Sequence, residues 1–124
     1  MRTSPARGGW AEEQAARYLT EELGYRLLDR NVRLAGGEID LVLNDRGTQV
    51  FVEVKARRGA GRAAGAVTAD KRRRVSRAAA LWVARHGVAS GGCRFDVVTV
   101  EGRGPSVRLE HIPSAFEAAD RYGV

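Results

Sequence analysis

Two carboxylates and a lysine, Asp40, Glu53 and Lys55, fall in neighbouring stretches that alternate apolar and polar residues. In 38–43, Ile39, Leu41 and Leu43 point one way and Glu38, Asp40 and Val42 the other. In 48–55, Val50, Val52 and Val54 share one face, and Gln49, Phe51, Glu53 and Lys55 share the opposite one. Asn44-Asp45-Arg46-Gly47 reads as the turn between them, so the two runs predict a hairpin. With 44–47 as the connection, Asp40 lies opposite Phe51 and Glu38 opposite Glu53. Asp40 and Glu53 are then diagonal neighbours, roughly 7 Å apart between backbones and within side-chain reach. Like charges so placed repel unless a cation bridges them. Carboxylate oxygens suit a hard cation such as Mg²⁺ or Mn²⁺, with water completing the shell. Against this stands a plainer reading: an antiparallel hairpin can face water on one side without any function.

Glu12 adds to the acidic set. It falls at helical spacing with Ala16, Leu19 and Leu23, on the stripe meant for burial, where a carboxylate is costly unless paired or metal-bound. At a frayed helix start it would instead be solvated and favoured by the helix dipole. The basic residues are also unevenly chosen. Of 21 lysines and arginines only Lys55 and Lys71 are lysines. A lysine differs from arginine as a compact charge whose pKa shifts readily on burial, and Lys55 sits beside carboxylates it could work with. Acidic ligands would hold a divalent ion that polarises a phosphodiester and acidifies a bound water, and the lysine would orient that water or meet charge on phosphate. Arg57, Arg58, Arg62, Lys71, Arg72, Arg73, Arg74 and Arg77 would hold a nucleic-acid backbone; the alternative is a solvated helix face.

These residues need a scaffold. A single domain is expected from 124 residues, with 1–9 as a loose arm. A helix is predicted over 10–23, ended by Gly24, and a strand over 25–29. Residues 56–67, rich in Ala, Gly and Arg, read as a mobile basic loop. Thr68 is an N-cap for a second helix running to about His86, with Val75, Ala79 and Trp82 as its apolar stripe. Strands follow over 95–100 and 107–112, and Ser114 with Glu117 forms a capping box for a terminal helix. His111 has no visible partner and is assigned a structural role. The lone Cys93 excludes an internal disulfide and a cysteine-based zinc site, and no stretch reaches membrane-helix length. With no apolar leader segment, a cytoplasmic protein is expected. A net charge of +6 favours polyanionic partners.

The segments GEIDLV at 37–42, VFVEVKAR at 50–57 and RFDVVTV at 94–100, with AEEQAARYL at 11–19, NVR at 31–33 and EHIPSAF at 110–116, resemble the bacterial YraN family of uncharacterised proteins. That family is similar to the PD-(D/E)xK nuclease superfamily, which includes restriction enzymes and Holliday-junction resolvases. The resemblance implies a restriction-endonuclease-like α/β fold, a mixed sheet flanked by helices with an αβββαβ core. It implies Asp40 and Glu53 as metal ligands, Lys55 as the lysine of the E-x-K element, a metal contact from the Val54 carbonyl, and Glu12 as the helix-1 glutamate of the resolvase-like branch. The proline of the superfamily motif is absent, since Ile39 precedes Asp40. The function expected is a Mg²⁺- or Mn²⁺-dependent endonuclease acting on DNA, branched or single-stranded forms included, with a homodimer implied by resolvase-like relatives. The competing expectation is a non-catalytic nucleic-acid-binding accessory factor in recombination, repair or uptake.

Overall fold

The structure, a computed structural model, describes residues 6–57, 68–103 and 105–118. Helix α1 (Ala6–Arg17) continues through a π-helical turn over Tyr18–Glu22, then strands β1 (Arg26–Leu34), β2 (Gly37–Asp45) and β3 (Thr48–Arg57) form a meander. Helix α2 (Ala69–His86) crosses over to β4 (Cys93–Arg103), which lies parallel to β3, and β5 (Ser106–Phe116) returns antiparallel at the edge. The sheet order is β1-β2-β3-β4-β5. This is the expected mixed α/β architecture, with the elements of an αβββαβ core in order. Among the described residues, no helix is long and apolar enough to cross a membrane.

Both faces of the sheet are covered. On one, the small residues Ala11, Ala15 and Ala16 let α1 sit close, and with Leu19 they pack on Leu41, Leu43, Val50, Val52, Val98 and Val100. On the other, Val75, Ala78, Ala79 and Trp82 of α2 pack on Val32, Ile39, Val42, Phe51 and Phe95. The hairpin face carrying Val42, Phe51 and Glu53 is therefore buried rather than wet, because α2 uses it as its floor. Burying a large side chain such as Phe51 contributes about 2 kcal/mol or more.

The first helix begins at Ala6, not at Trp10; glycines such as Gly8 and Gly9 each weaken a helix by about 1 kcal/mol relative to alanine without forbidding it. Leu23 leaves the buried stripe and is 36% exposed. The π turn, closed by Leu23 N–H donating to Tyr18 O, adds a residue and breaks the 3.6 period. Ile39 departs from the alternation and joins the α2 cluster, across from the stretch of β1 where Asn31 takes φ 53°. The terminal helix is absent from its expected start: residues 114–116 belong to β5. The Ser114 N–H is taken by Asp96 Oδ1 and Phe116 stacks on Phe95, so pairing with β4 wins over the capping box. The second helix is as expected, with Thr68 Oγ1 accepting from the Lys71 N–H and Gly87 at φ 98° ending it.

The placement of α2 over the start of β2 depends on Gly37. A Cβ there would run into the Arg74 carbonyl of α2. Gly37→Ala is expected to lower stability by about 1–3 kcal/mol through overpacking, read as a fall in the denaturation midpoint; an unchanged midpoint would contradict this close approach.

Candidate active site

The β2–β3 turn is tighter than four residues. Asp45 pairs with Thr48, Leu43 with Val50 and Leu41 with Val52. The connection is the dipeptide Arg46-Gly47, with φ 49° and 101°, and Asn44 Oδ1 accepts from the Gly47 N–H at 2.8 Å. The expected register was thus out by two residues. Extending the observed register by one step sets Asp40 against Glu53 directly rather than diagonally. The backbone ladder stops short of that pair, and the Val54 N–H instead donates to Asp40 Oδ2 at 2.8 Å.

Asp40 and Glu53 are 8% and 7% exposed. Burial is the main force on Asp40 and raises its pKa; the Glu53 charge adds to it, the Val54 hydrogen bond opposes it, and Glu12 and Glu38 raise it further, to about 8. The acidic group therefore draws on three elements: Glu12 from α1, Glu38 and Asp40 from β2, and Glu53 from β3. Glu38 also reaches Arg33 at 3.6 Å, an exposed pair of little energetic weight.

The lysine bonded to this group is Lys71. Its Nζ lies 2.7 Å from Glu53 Oε2. Burial lowers its pKa, but the Glu53 hydrogen bond and charge, with Asp40 and Glu38 behind them, outweigh that and leave it raised. Sequence reasoning assigned Lys71 to substrate binding and missed this contact; the scarcity of lysine was the available signal. Lys55, two residues beyond Glu53 and beside Thr99 of β4, is partly buried and enters no ion pair among the described residues.

The arginine field is divided. Arg72 is exposed, Arg73 and Arg74 share Asp70 at 3.4 and 3.5 Å, and Arg77 Nε donates to Ala35 O at 3.0 Å, tying α2 to the β1–β2 turn. Arg57 ends β3, its backbone paired with Glu101. Arg58 and Arg62 lie outside the described residues.

Among the described residues no three His, Cys, Asp or Glu side chains converge as a ready metal cage. The donor chemistry fits a hard divalent cation all the same. Asp40 and Glu53 offer carboxylate oxygens, and a cation would offset both the burial and the neighbouring acidic charge that raise Asp40.

A second buried polar group lies elsewhere on β4. Asp96, 0% exposed, accepts from Arg94, from the Ser114 N–H and, at 2.8 Å, from His111 Nε2, so His111 does have a partner. Arg94 extends the network to Asp45 and to the Tyr25 hydroxyl. Burial raises the Asp96 pKa, but the His111, Arg94 and Ser114 bonds outweigh it and hold it below the usual carboxylate range. The network joins β4, β5 and the far end of β2.

The model of a family described as "Uncharacterised protein family UPF0102" matches residues 11–100. The chain is 50% identical to a UPF0102 protein of Symbiobacterium thermophilum over 90% of its own length and 98% of that protein's. It is 49% identical to one from Geobacter sulfurreducens (87% and 86%) and 48% identical to one from Frankia casuarinae (94% and 100%).

Proposed function

Since the chain belongs to the uncharacterised protein family UPF0102, we propose from its site that it is a divalent-metal-dependent endonuclease acting on DNA, of the PD-(D/E)xK kind. The observation carrying this reading is the buried Asp40, acted on by the charge of the buried Glu53 where the β2–β3 ladder opens, with Lys55 two residues beyond Glu53. Buried carboxylates are ordinarily matched by donors and cations, as Asp96 is by Arg94, His111 and the Ser114 N–H; Asp40 takes the Val54 N–H while the charges of three glutamates act on it.

In this reading Asp40, Glu53 and the Val54 carbonyl hold Mg²⁺ or Mn²⁺, with Glu12 contributing from α1. Bound there, the ion supplies charge neutralisation at phosphate and a water of lowered pKa. The Val54 N–H bond fixes the Asp40 carboxylate, so the donors are oriented before substrate arrives. Lys55 orients the attacking water and meets the charge that builds on phosphate as one P–O bond forms and the other breaks. Arg72 and Arg73, exposed on the first turns of α2, grip the backbone without reading sequence. The second reading is a non-catalytic DNA-binding accessory factor, for which the exposed Arg72 and Arg73 of α2 would serve equally well.

Cleavage assays separate the two. Labelled duplex, single-stranded, flap and four-way-junction DNA would be incubated with Mg²⁺, Mn²⁺ or EDTA. The proposal expects metal-dependent cutting of at least one substrate, and binding that weakens steeply with salt. Salt-sensitive binding with every substrate left intact would favour the accessory factor.

A further inference from the structure

Of the two lysines of the chain, Lys71 is the one whose ammonium reaches the Asp40 and Glu53 site. Lys71 lies in the first turn of α2, its backbone pinned by the Thr68 cap, and its ammonium reaches down to a nearly buried Glu53 oxygen at 2.7 Å. The charges of Glu53, Glu12 and Glu38 all act on Asp40 at this place. Lys71 is a cation held against Glu53, and it sits on an oxygen that a divalent ion would also use. An ammonium and a metal ion at such a range repel and compete for the same lone pairs.

We propose that Lys71 is a displaceable counter-ion. Its ammonium holds Glu53 while no divalent cation is bound, and it yields Glu53 when one binds, which frees a positive charge at the start of α2 for a substrate phosphate. The proposal rests on the reading of Asp40 and Glu53 as cation ligands. It makes Lys71 a positioning residue for Glu53 rather than a member of a fixed basic surface.

The test needs no cleavage. Mn²⁺ would be titrated calorimetrically into the parent and into Lys71→Met, Lys71→Arg and Asp40→Ala variants, with melting curves recorded with and without Mn²⁺. Lys71→Met is expected to melt below the parent without metal, to bind Mn²⁺ about tenfold more tightly, and to gain more from Mn²⁺ in melting temperature. Lys71→Arg, which keeps the charge, is expected to stay near the parent in affinity. Equal or weaker Mn²⁺ binding by Lys71→Met, with binding still lost in Asp40→Ala, would overturn the counter-ion and leave the ligand reading standing. Mn²⁺ binding untouched by Asp40→Ala, or absent from both parent and Lys71→Met, would overturn the ligand reading and this proposal with it.

Discussion

Asp40→Asn is expected to make the metal-free protein more stable at about pH 8, while removing its response to divalent cations. The Asp40 carboxyl has a folded pKa raised from 3.8 to about 8, so between those values the native chain holds a proton that the unfolded chain has released. Parent stability attributable to Asp40 therefore falls as pH rises across that window and levels off above it. Each unit of displacement is worth about 1.4 kcal/mol. The asparagine oxygen can still accept from the Val54 N–H, but its amide is itself a buried polar group, which leaves a net gain of about 2 kcal/mol at the alkaline end. The gain should vanish toward pH 4, where both proteins are neutral at this position. Other groups also titrate there; Asp96, with its lowered pKa, contributes stability that is lost as pH falls. The difference between parent and variant isolates Asp40. Mn²⁺ should raise the melting temperature of the parent and not that of the variant, and its binding near neutral pH should release about one proton. A parent less dependent on pH than its variant, or a variant less stable throughout, would contradict the crowded acid site.

The second large effect is kinetic. Lys55→Ala is expected to slow DNA cleavage by about 10²–10⁴-fold under single-turnover conditions while changing DNA affinity by less than about tenfold. In the proposed reaction the lysine is one charge at the phosphate, whereas affinity would be spread over many backbone contacts. Glu53→Ala should reduce cutting at least as far, because it removes a proposed cation ligand and leaves Lys71 without its partner. Lys55→Arg should fail to restore the rate, since a planar guanidinium does not reproduce a compact ammonium. A Lys55→Ala protein that cuts normally but binds DNA poorly would move Lys55 from the reaction to the grip.

The strands around the site are legible in the sequence because Val50, Val52, Leu41 and Leu43 repeat with a period of two. Their register is less so. The observed turn puts Arg46 at φ 49°, a conformation usually left to Asn, Asp or Gly, and Asn44 offsets part of the cost by capping Gly47. Asn-Asp-Arg-Gly therefore reads as a longer loop than it is. Alternation alone also cannot tell a wet face from one roofed by a helix; Val42 and Phe51 on the Glu53 face are the residues that hint at the roof. The Lys71–Glu53 contact joins α2 to β3 and depends on the helix lying flat on Gly37, which no local pattern encodes. The acids themselves were readable. Glu12 could be suspected because it interrupts an apolar stripe, and its charge does act on Asp40. His111 and Asp96 were each visible, but their pairing follows from the β4–β5 register, which a Ser114 bulge at φ 51° shifts.

Parent and Asp40→Asn protein are to be compared on labelled DNA at equal occupancy in Mn²⁺. The parent is expected to cleave a strand in a reaction that EDTA stops, and the variant, folded and DNA-bound, to cleave none. Cleavage by the variant at the parent's rate, or a parent that leaves every DNA structure intact at saturating metal, would contradict the proposed endonuclease.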